Sequence, residues 1–192
     1  MSKRRQKHQS LLRFFSQREA VDVPQILKAG IGAFVAIALL GLLLEPTGLP
    51  LLIAPFGASA ILVYGYPGTA FAQPLNVLGS YLIAAAIAFV AASQCPGAVW
   101  ATALAVALSL IVMMSLRVTH PPAGAIPLIA FADPSHVIQL TQVAIVGAVI
   151  LIVLAFVLHR LPPRSRYTVR PSPESPNMPP SAICDDDVSS ND

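Results

Sequence analysis

Four long runs of apolar residues dominate the chain, at about residues 26–44, 75–92, 98–116 and 137–158. Each run has roughly the twenty residues that an α-helix needs to cross about 30 Å of hydrocarbon. Alanine and glycine are frequent within the runs, and small side chains allow helices to pack closely in lipid. The pattern therefore predicts an all-α integral membrane protein, in which the long runs form a multi-pass helical bundle.

Two shorter apolar segments interrupt this pattern, at residues 55–67 and 122–134. Each segment begins with a proline, has glycine at its third position and ends with another proline, and the two start sixty-seven residues apart. One segment separates the first two long runs, and the other separates the last two. The sequence therefore predicts an internal repeat of three elements, with repeat 1 at about residues 30–96 and repeat 2 at about 97–160.

The connections help to decide whether the interrupted segments cross the bilayer. Only residues 133–136 separate the second segment from the last long run, too few for an extended chain to climb back out of the membrane. We therefore predict a crossing, in which a half-helix at 122–132 rises about 16 Å and an extended arm at 117–121 covers most of the rest. The tandem prolines favour such an arm, because proline disfavours the helical conformation of the residue before it. An equivalent unwound stretch is predicted at residues 51–54.

If both segments cross, the fold has six crossings and two inverted three-element repeats, each with a half-helix broken by proline and glycine. The alternative has four crossings, two re-entrant segments and a parallel repeat. The positive-inside tendency places both basic ends of the chain in the cytoplasm in either topology. The two topologies differ at Arg117, which lies near the cytoplasm with six crossings and outside with four.

Composition excludes a water-soluble domain of this length, because 55% of the 192 residues are hydrophobic, only 11% are charged and the mean hydropathy is +0.70. Seven of the twelve lysines and arginines precede residue 31 and four follow residue 158, so the net charge of +3 describes the ends. Basic ends predict contact with the lipid bilayer of a cell inner membrane and no nucleic-acid partner. Residues 1–25 form a basic cytoplasmic N-terminus with a predicted interfacial helix at 10–18, and the proline-rich residues 161–192 form a tail predicted to be disordered.

Ionisable side chains, tandem prolines and a glycine meet at membrane depth in residues 117–125. A charged side chain in a membrane segment is costly and normally faces a cavity or a partner. Prolines suit the start of a helix, and the positive end of the helix dipole attracts an anion to the remaining free N–H groups of the first turn. With inverted repeats, the matching helix start at residues 55–58 approaches from the other half. The predicted substrate-binding residues are Pro55, Gly57, Ala58 and Ser59 in repeat 1, and Arg117, Thr119, His120, Pro121, Pro122, Gly124 and Ala125 in repeat 2.

A structural interpretation of the same residues stays open. Prolines and glycines can set a kink for helix packing, His120 can bond to a neighbouring carbonyl, and Arg117 can extend its charge to the interface. The scattered His8, His136 and His159 have no carboxylate or cysteine at ligand spacing, so we predict no metal site and no cofactor. No nucleophile motif joins the serine, histidine and aspartate residues, so we do not predict an enzyme.

The motif at residues 119–125, Thr-His-Pro-Pro-Ala-Gly-Ala, resembles that of the HPP family of integral membrane proteins, which is named for its His-Pro-Pro. Residues 53–60 and 72–79 also look like this family, and the resemblance covers residues 24–160. The family is usually described as four-spanning, and it has members in photosynthetic organisms that are associated with nitrite transport. Our count of six departs from that description, and short crossings broken by proline are easily missed by hydropathy.

The resemblance and the helix starts together predict a small transporter or channel for a compact inorganic anion, with nitrite as the best candidate. The HPP-like transmembrane domain at residues 26–160 would carry this activity. Six crossings are few for a transporter, which is compatible with a homo-oligomer. The alternative is a non-transporting membrane module, an accessory subunit whose basic N-terminus and tail recruit a partner.

Overall fold

The computed structural model describes residues 22–47 and 53–162, together with Arg164 and Tyr167. Helices are the only regular secondary structure of these residues. The six α-helices are α1 Val23–Leu44, α2 Ile53–Ala60, α3 Pro74–Gln94, α4 Val99–Ser115, α5 Ile126–Ala132 and α6 Val137–Arg160. The four long apolar runs correspond to α1, α3, α4 and α6, so the predicted all-α bundle is confirmed. The predicted interfacial helix at 10–18 and most of the predicted disordered tail lie outside the described residues.

Three helical stretches in the described part of the chain are long and apolar enough to cross a membrane, namely Val23–Leu43, Pro74–Gln94 and Pro134–Arg160. The third stretch includes a 3₁₀ turn, Pro134–His136, that leads directly into α6. Helix α4 is also apolar, but its 17 residues rise only about 25 Å. Three of the four predicted long helices therefore reach the length of a full crossing.

Local sequence explains where two of the long helices begin. Asp22 caps α1, because its carboxylate accepts a hydrogen bond from the backbone N–H of Gln25 at 3.3 Å. Pro24 is the second residue of α1, and Pro74 is the first residue of α3. Proline is favourable in a first turn, because the N–H that it lacks would have no intrahelical partner there.

The two interrupted segments are short helices with irregular flanks. The first is α2 followed by one π-helical turn, Ile61–Gly65. The second has an extended arm at residues 118–120, then a 3₁₀ turn, Pro121–Ala125, and then α5. The predicted arm is present, with His120 at φ −135° and ψ 99°, although Pro121 already belongs to the helical turn.

The start of the first interrupted segment differs from the prediction. Helix α2 spans Ile53–Ala60, so residues 53 and 54 of the predicted unwound stretch 51–54 are helical, while residues 51 and 52 lie outside the described part of the chain. Pro55 is thus the third residue of the helix. The N–H at that position has no intrahelical acceptor, so the first turn tolerates the proline without losing a hydrogen bond.

Small residues allow α3 and α6 to pack closely inside the bundle. Helix α3 contacts α4, α5 and α6, whereas α1 contacts α2 and α6. The buried small residues are Ala84, Ala85, Ala88 and Ala92 in α3 and Ala144, Gly147, Ala148 and Ala155 in α6. Large apolar side chains point outwards, such as Phe34 of α1 at 74% and Trp100 of α4 at 65% exposure. A bilayer would surround such side chains with hydrocarbon.

Contacts between α1, α2 and α6 show how these helices run relative to one another. The Lys28 ammonium near the start of α1 donates to the Leu161 carbonyl at 2.8 Å, so α1 and α6 are antiparallel. Helix α2 is parallel to α6, because Phe56 lies against Gly147 and the Val63 carbonyl accepts a hydrogen bond from His159. The start of α1 and the end of α6 therefore lie at the same end of the bundle. We call this end, marked by Lys28 and Leu161, the terminal end.

Candidate functional site

A chain of buried polar side chains joins the two interrupted segments. Ser59 Oγ of α2 lies 2.7 Å from His120 Nε2 of the extended arm and 2.9 Å from the hydroxyl of Tyr81 in α3. His120 Nδ1 lies 2.6 Å from the carbonyl oxygen of Phe71, just before α3. All three side chains are 0% exposed. We refer to Tyr81, Ser59 and His120 as the buried polar chain.

The carbonyl of Phe71 sets the direction of every hydrogen bond in this chain. A carbonyl oxygen only accepts, so His120 Nδ1 carries the hydrogen that it receives. In a neutral imidazole, Nε2 is then an acceptor, and the Ser59 hydroxyl donates to it. The Ser59 oxygen in turn accepts from the Tyr81 hydroxyl. Every hydrogen of the chain has an acceptor, as a stable buried network requires.

Aromatic packing holds the buried polar chain from the side of α6. The Phe56 ring stacks on Tyr81 with centroids 5.6 Å apart, and the Tyr81 and His120 rings lie 5.9 Å apart. Gly147 of α6 makes room for Phe56, because a Cβ at that position would lie only 2.7 Å from two carbon atoms of the ring, Cε1 and Cε2. The absence of a side chain at Gly147 therefore allows Phe56 to support Tyr81.

The C-terminus of α4 places His120 beside α3. Arg117 N–H donates to the Met114 carbonyl at 3.1 Å and Val118 N–H to the Met113 carbonyl at 2.9 Å, the pair of bonds that forms a Schellman motif. Arg117 adopts the left-handed conformation that this motif requires, with φ of 57°. The Ser80 hydroxyl then donates to the Val118 carbonyl. These bonds direct the extended arm along α3 towards Ser59.

Gly79 determines how closely the arm approaches α3. A Cβ at Gly79 would lie 3.3 Å from Val118 Cβ, tighter than an ordinary contact. Neighbouring Ser80 supplies the hydrogen bond to the same residue of the arm. Gly79 thus lets the arm lie close to α3, and Ser80 gives the Val118 carbonyl a hydrogen bond. An unwound segment in a membrane needs such a bond, because its backbone carbonyls have no helical partner.

The 3₁₀ turn after His120 differs from the expected anion site at a helix start. Pro121 and Pro122 have no N–H, and Ala123 N–H donates to the His120 carbonyl at 3.1 Å. The sequence predicted free N–H groups in this first turn, but the N–H of Ala123 already has an acceptor. Space is available nevertheless, because a Cβ built at Gly57 or Gly124 meets no described heavy atom within 4 Å apart from its own stretch of the chain.

The structure brings most of the predicted site residues together but separates Arg117. Ser59 and His120 are in direct contact, and the turn that carries Pro121, Pro122, Gly124 and Ala125 packs against α2. In the first segment Pro55 is buried, Gly57 is half-buried and Ala58 is exposed, while Thr119 of the arm is half-buried. Arg117 is exposed at the end of α4, where its backbone terminates the helix. The buried polar chain therefore excludes it.

Sequence reasoning missed Tyr81, Phe56 and Gly147. Tyr81 offered a signal, since it is the only tyrosine in the apolar run 75–92 and a hydroxyl there needs a partner. Gly147 offered none, because one glycine in an apolar helix looks like another. Phe56 stood in the proline–glycine pattern without a chemical role.

A second group of buried aromatic and polar side chains lies at the terminal end. His159 Nε2 lies 2.9 Å from the Val63 carbonyl, and the Tyr64 hydroxyl donates to the Leu151 carbonyl at 3.2 Å. The ring of Tyr167 stacks on His159 with centroids 5.0 Å apart and is 4% exposed. Tyr167 belongs to the predicted disordered tail, yet it packs against the end of α6.

Comparison with known proteins identifies the family. Residues 18–168 match the model of the HPP transmembrane region. A transmembrane protein of Dictyostelium discoideum is 38% identical over 82 residues, which are 41% of this chain and 29% of that protein. The chain thus matches less than a third of the length of this relative. No solved structure shows a significant match. Because the family model covers most of the sequence, the chain belongs to the HPP family of transmembrane proteins.

Proposed function

We propose that this protein is a small transporter or channel for a compact inorganic anion, without enzymatic activity, and that the two interrupted segments form its binding site. The observation that carries the proposal is the buried polar chain, in which Ser59 of one repeat bonds directly to His120 of the other. A polar group at membrane depth is costly and commonly marks a pathway. Nitrite is the best candidate, because the family resemblance associates some members with nitrite transport.

The charge around the interrupted segments favours an anion over a cation. Residues 53–65 and 118–132 contain no aspartate or glutamate. The half-buried Gly57 and Gly124 border open space. Gly57 lies two residues before Ser59, and Gly124 lies four residues after His120. An ion in that space would meet backbone dipoles and no carboxylate. Fixed dipoles of this kind stabilise an anion without a dedicated cation.

We favour six passes with inverted repeats, and the helix directions support this topology. Helix α2 runs back towards the terminal end, opposite to α1, because the π-helical turn that follows it lies beside His159. Helix α4 runs back along α3, since Val118 after α4 lies against Gly79 near the start of α3. Helix α6 starts at the far end of the bundle, so α5 must lead there from the level of Ser59. Each element thus reverses the direction of the one before.

The terminal end would then face the cytoplasm of an inner-membrane protein, in agreement with the basic ends of the chain. Single cysteines at Leu116 and Ser135, with Cys95 and Cys184 replaced by alanine, test this topology. Both positions are exposed, whereas Val118 packs on Gly79 and would label poorly. An impermeant thiol reagent applied from outside should label position 135 only. Labelling at position 116 would favour four crossings and remove the inverted repeat.

Anion flux into vesicles tests the proposed function itself. Purified protein in lipid vesicles should take up nitrite faster than protein-free vesicles, which also control for nitrous acid crossing the lipid. Nitrate, the anion of a strong acid, provides a second probe without that background. Wild-type protein that passes neither these anions nor another compact anion, such as chloride, would refute transport.

Three glycine-to-leucine variants locate the pathway. Gly124→Leu should lose at least about tenfold in flux, because the leucine side chain fills the open space at the turn after His120. Gly57→Leu should lose less. Both should fold, since leucine improves helix propensity by about 1 kcal/mol and a Cβ meets no described atom within 4 Å apart from its own stretch of the chain. Gly30→Leu is the matched control on the exposed face of α1. A folded Gly124→Leu protein with wild-type flux would exclude the turn from the pathway.

A second candidate function follows from the closed packing of the polar chain. Its three side chains are 0% exposed and fully hydrogen-bonded, as in a network whose role is to hold two broken helices together. The protein would then be a membrane accessory module, with its basic ends recruiting a partner. The outward apolar faces of α1 and α4 are compatible with a homo-oligomer in either case. Absence of flux from folded wild-type protein would leave this candidate.

A further inference from the structure

The buried polar chain consists of three proton-bearing groups in direct contact. Tyr81 donates to Ser59, and Ser59 donates to His120, with oxygen–oxygen and oxygen–nitrogen distances of 2.9 and 2.7 Å. Each group can both accept and donate, so a proton can move along the chain by short transfers. The His120 imidazole is the strongest base of the three, and it becomes a cation when it gains a proton.

The buried polar chain ends at His120. His120 Nδ1–H donates to the Phe71 carbonyl, which can accept a hydrogen bond but has no hydrogen to pass on. A proton that reaches His120 therefore has no onward route through Nδ1. The arrangement suits storage of one proton and not continuous proton conduction.

Among the described residues, the elements packed against His120 carry no side chain that could balance a stored positive charge. Tyr81 is the only titratable side chain of α3, and helices α2, α4 and α5 have no aspartate, glutamate, lysine, arginine or histidine. Tyr64, in the π-helical turn after α2, bonds to Leu151 instead. A buried imidazolium without a counterion is strongly unfavourable. An anion in the open space at Gly124 or at Gly57 would supply the missing negative charge.

We propose that His120 binds one proton together with each transported anion, so that a monovalent anion and a proton cross as an electroneutral pair. This inference rests on the proposed transport function and adds its coupling. The anion and the proton each make the other less costly to bury, which links their binding. An anion without the proton would carry an uncompensated charge past residues that offer dipoles only.

Loading conserves every proton. An incoming proton forms a new O–H bond at Tyr81, while the original Tyr81 proton moves to Ser59 Oγ and the original Ser59 proton moves to His120 Nε2. His120 then has N–H groups on both nitrogens and donates to Ser59 and Phe71, and Ser59 donates to Tyr81. Release reverses these transfers through Tyr81. Because Tyr81 is 0% exposed, it must open to one face of the membrane for loading and to the opposite face for release, so that the proton leaves with the anion.

Stoichiometry in the wild-type protein is the primary test and needs no variant. Vesicles containing the protein and a trapped pH-sensitive dye are given nitrate, with potassium and valinomycin setting the membrane potential. We expect one proton to enter with each nitrate, a rate independent of the membrane potential, and a rise of up to about tenfold per unit fall in external pH while His120 is mostly neutral. Nitrate flux that moves no proton and responds to voltage would overturn the coupling but leave the proposed function intact. Absence of flux for nitrate, nitrite and chloride alike would refute the proposed function.

Variants then identify the proton-binding group. His120→Gln keeps a donor and an acceptor but cannot store a proton, so coupled proton entry should disappear and nitrate flux should fall at least tenfold, with any residual flux responding to voltage. Tyr81→Phe should slow loading while the ratio stays at one proton per nitrate. Tyr64→Phe is the matched control, since it removes a buried tyrosine hydroxyl that bonds outside the chain. One proton per nitrate in the His120→Gln protein would overturn the assignment.

Discussion

Replacing Gly147 by alanine should destabilise the protein, although alanine is the better helix former. The new Cβ would lie 2.7 Å from Cε1 and Cε2 of Phe56 and closer still to Cζ. Two carbon atoms attract most at about 3.5–4.0 Å, so the ring must move by roughly 1 Å or more. Phe56 has little freedom to move, because it is 0% exposed and stacks on Tyr81 on its other side.

The magnitude follows from two opposing effects. Overpacking a well-packed site costs about 1–3 kcal/mol, and replacing glycine by alanine inside a helix returns up to about 1 kcal/mol. The expected net loss is about 1–2 kcal/mol, which corresponds to a fall in melting temperature of about 2–8 °C for a chain of this size. Displacement of Phe56 also moves Tyr81, so flux should fall with stability.

Thermal unfolding in detergent micelles measures the effect. Gly30→Ala is the matched control, since a Cβ there meets no described atom within 4 Å and the variant should melt at or slightly above the wild-type temperature. The double variant Gly147→Ala with Phe56→Leu should recover most of the loss, because the smaller side chain vacates the space. Equal melting temperatures for Gly147→Ala and Gly30→Ala would refute the packing of Phe56 against α6.

Three further predictions concern the ends of the helices. Arg117→Gly should raise the melting temperature, since relieving a left-handed non-glycine residue gains about 1 kcal/mol, and flux that survives it would show that the arginine side chain does not bind the anion. Tyr167→Phe should also stabilise the protein, by about 1 kcal/mol, because the buried tyrosine hydroxyl has no hydrogen-bond partner among the described residues; a lower melting temperature would indicate a bound partner there. Hydrogen bonds from Ser135 and then His136 lower the pKa of Asp133 below its ordinary 3.8, so its contribution to stability is complete above that value and is lost as pH falls through the folded-state pKa. The melting temperature of wild type should therefore fall relative to that of Asp133→Asn between about pH 5 and 3, and a constant difference would contradict the hydrogen bonding.

The sequence by itself determined the class of the protein and the position of its helices. Long apolar runs form helices because a segment in hydrocarbon must satisfy its own backbone, and this requirement depends only on the local sequence. An extended arm was predicted at 117–121, because tandem prolines disfavour helix in the residues before them, and residues 118–120 of it are extended. The motif at residues 119–125 also indicated the HPP family, because its residues are contiguous in the chain and need no tertiary contact to be recognised.

Tertiary structure decided which of these residues work together. Ser59 meets Tyr81 and His120 across 22 and 61 residues of sequence, and nothing in the local pattern of either segment specifies the other. Packing also gave different surroundings to glycines that look alike in the sequence. The Phe56 ring fills the space beside Gly147, whereas Gly30 borders open space. It assigned to Arg117 the backbone conformation that ends α4, where its charge had suggested a ligand. Local composition sets the conformation of each segment, whereas the partners of a buried side chain depend on how the whole bundle closes around it.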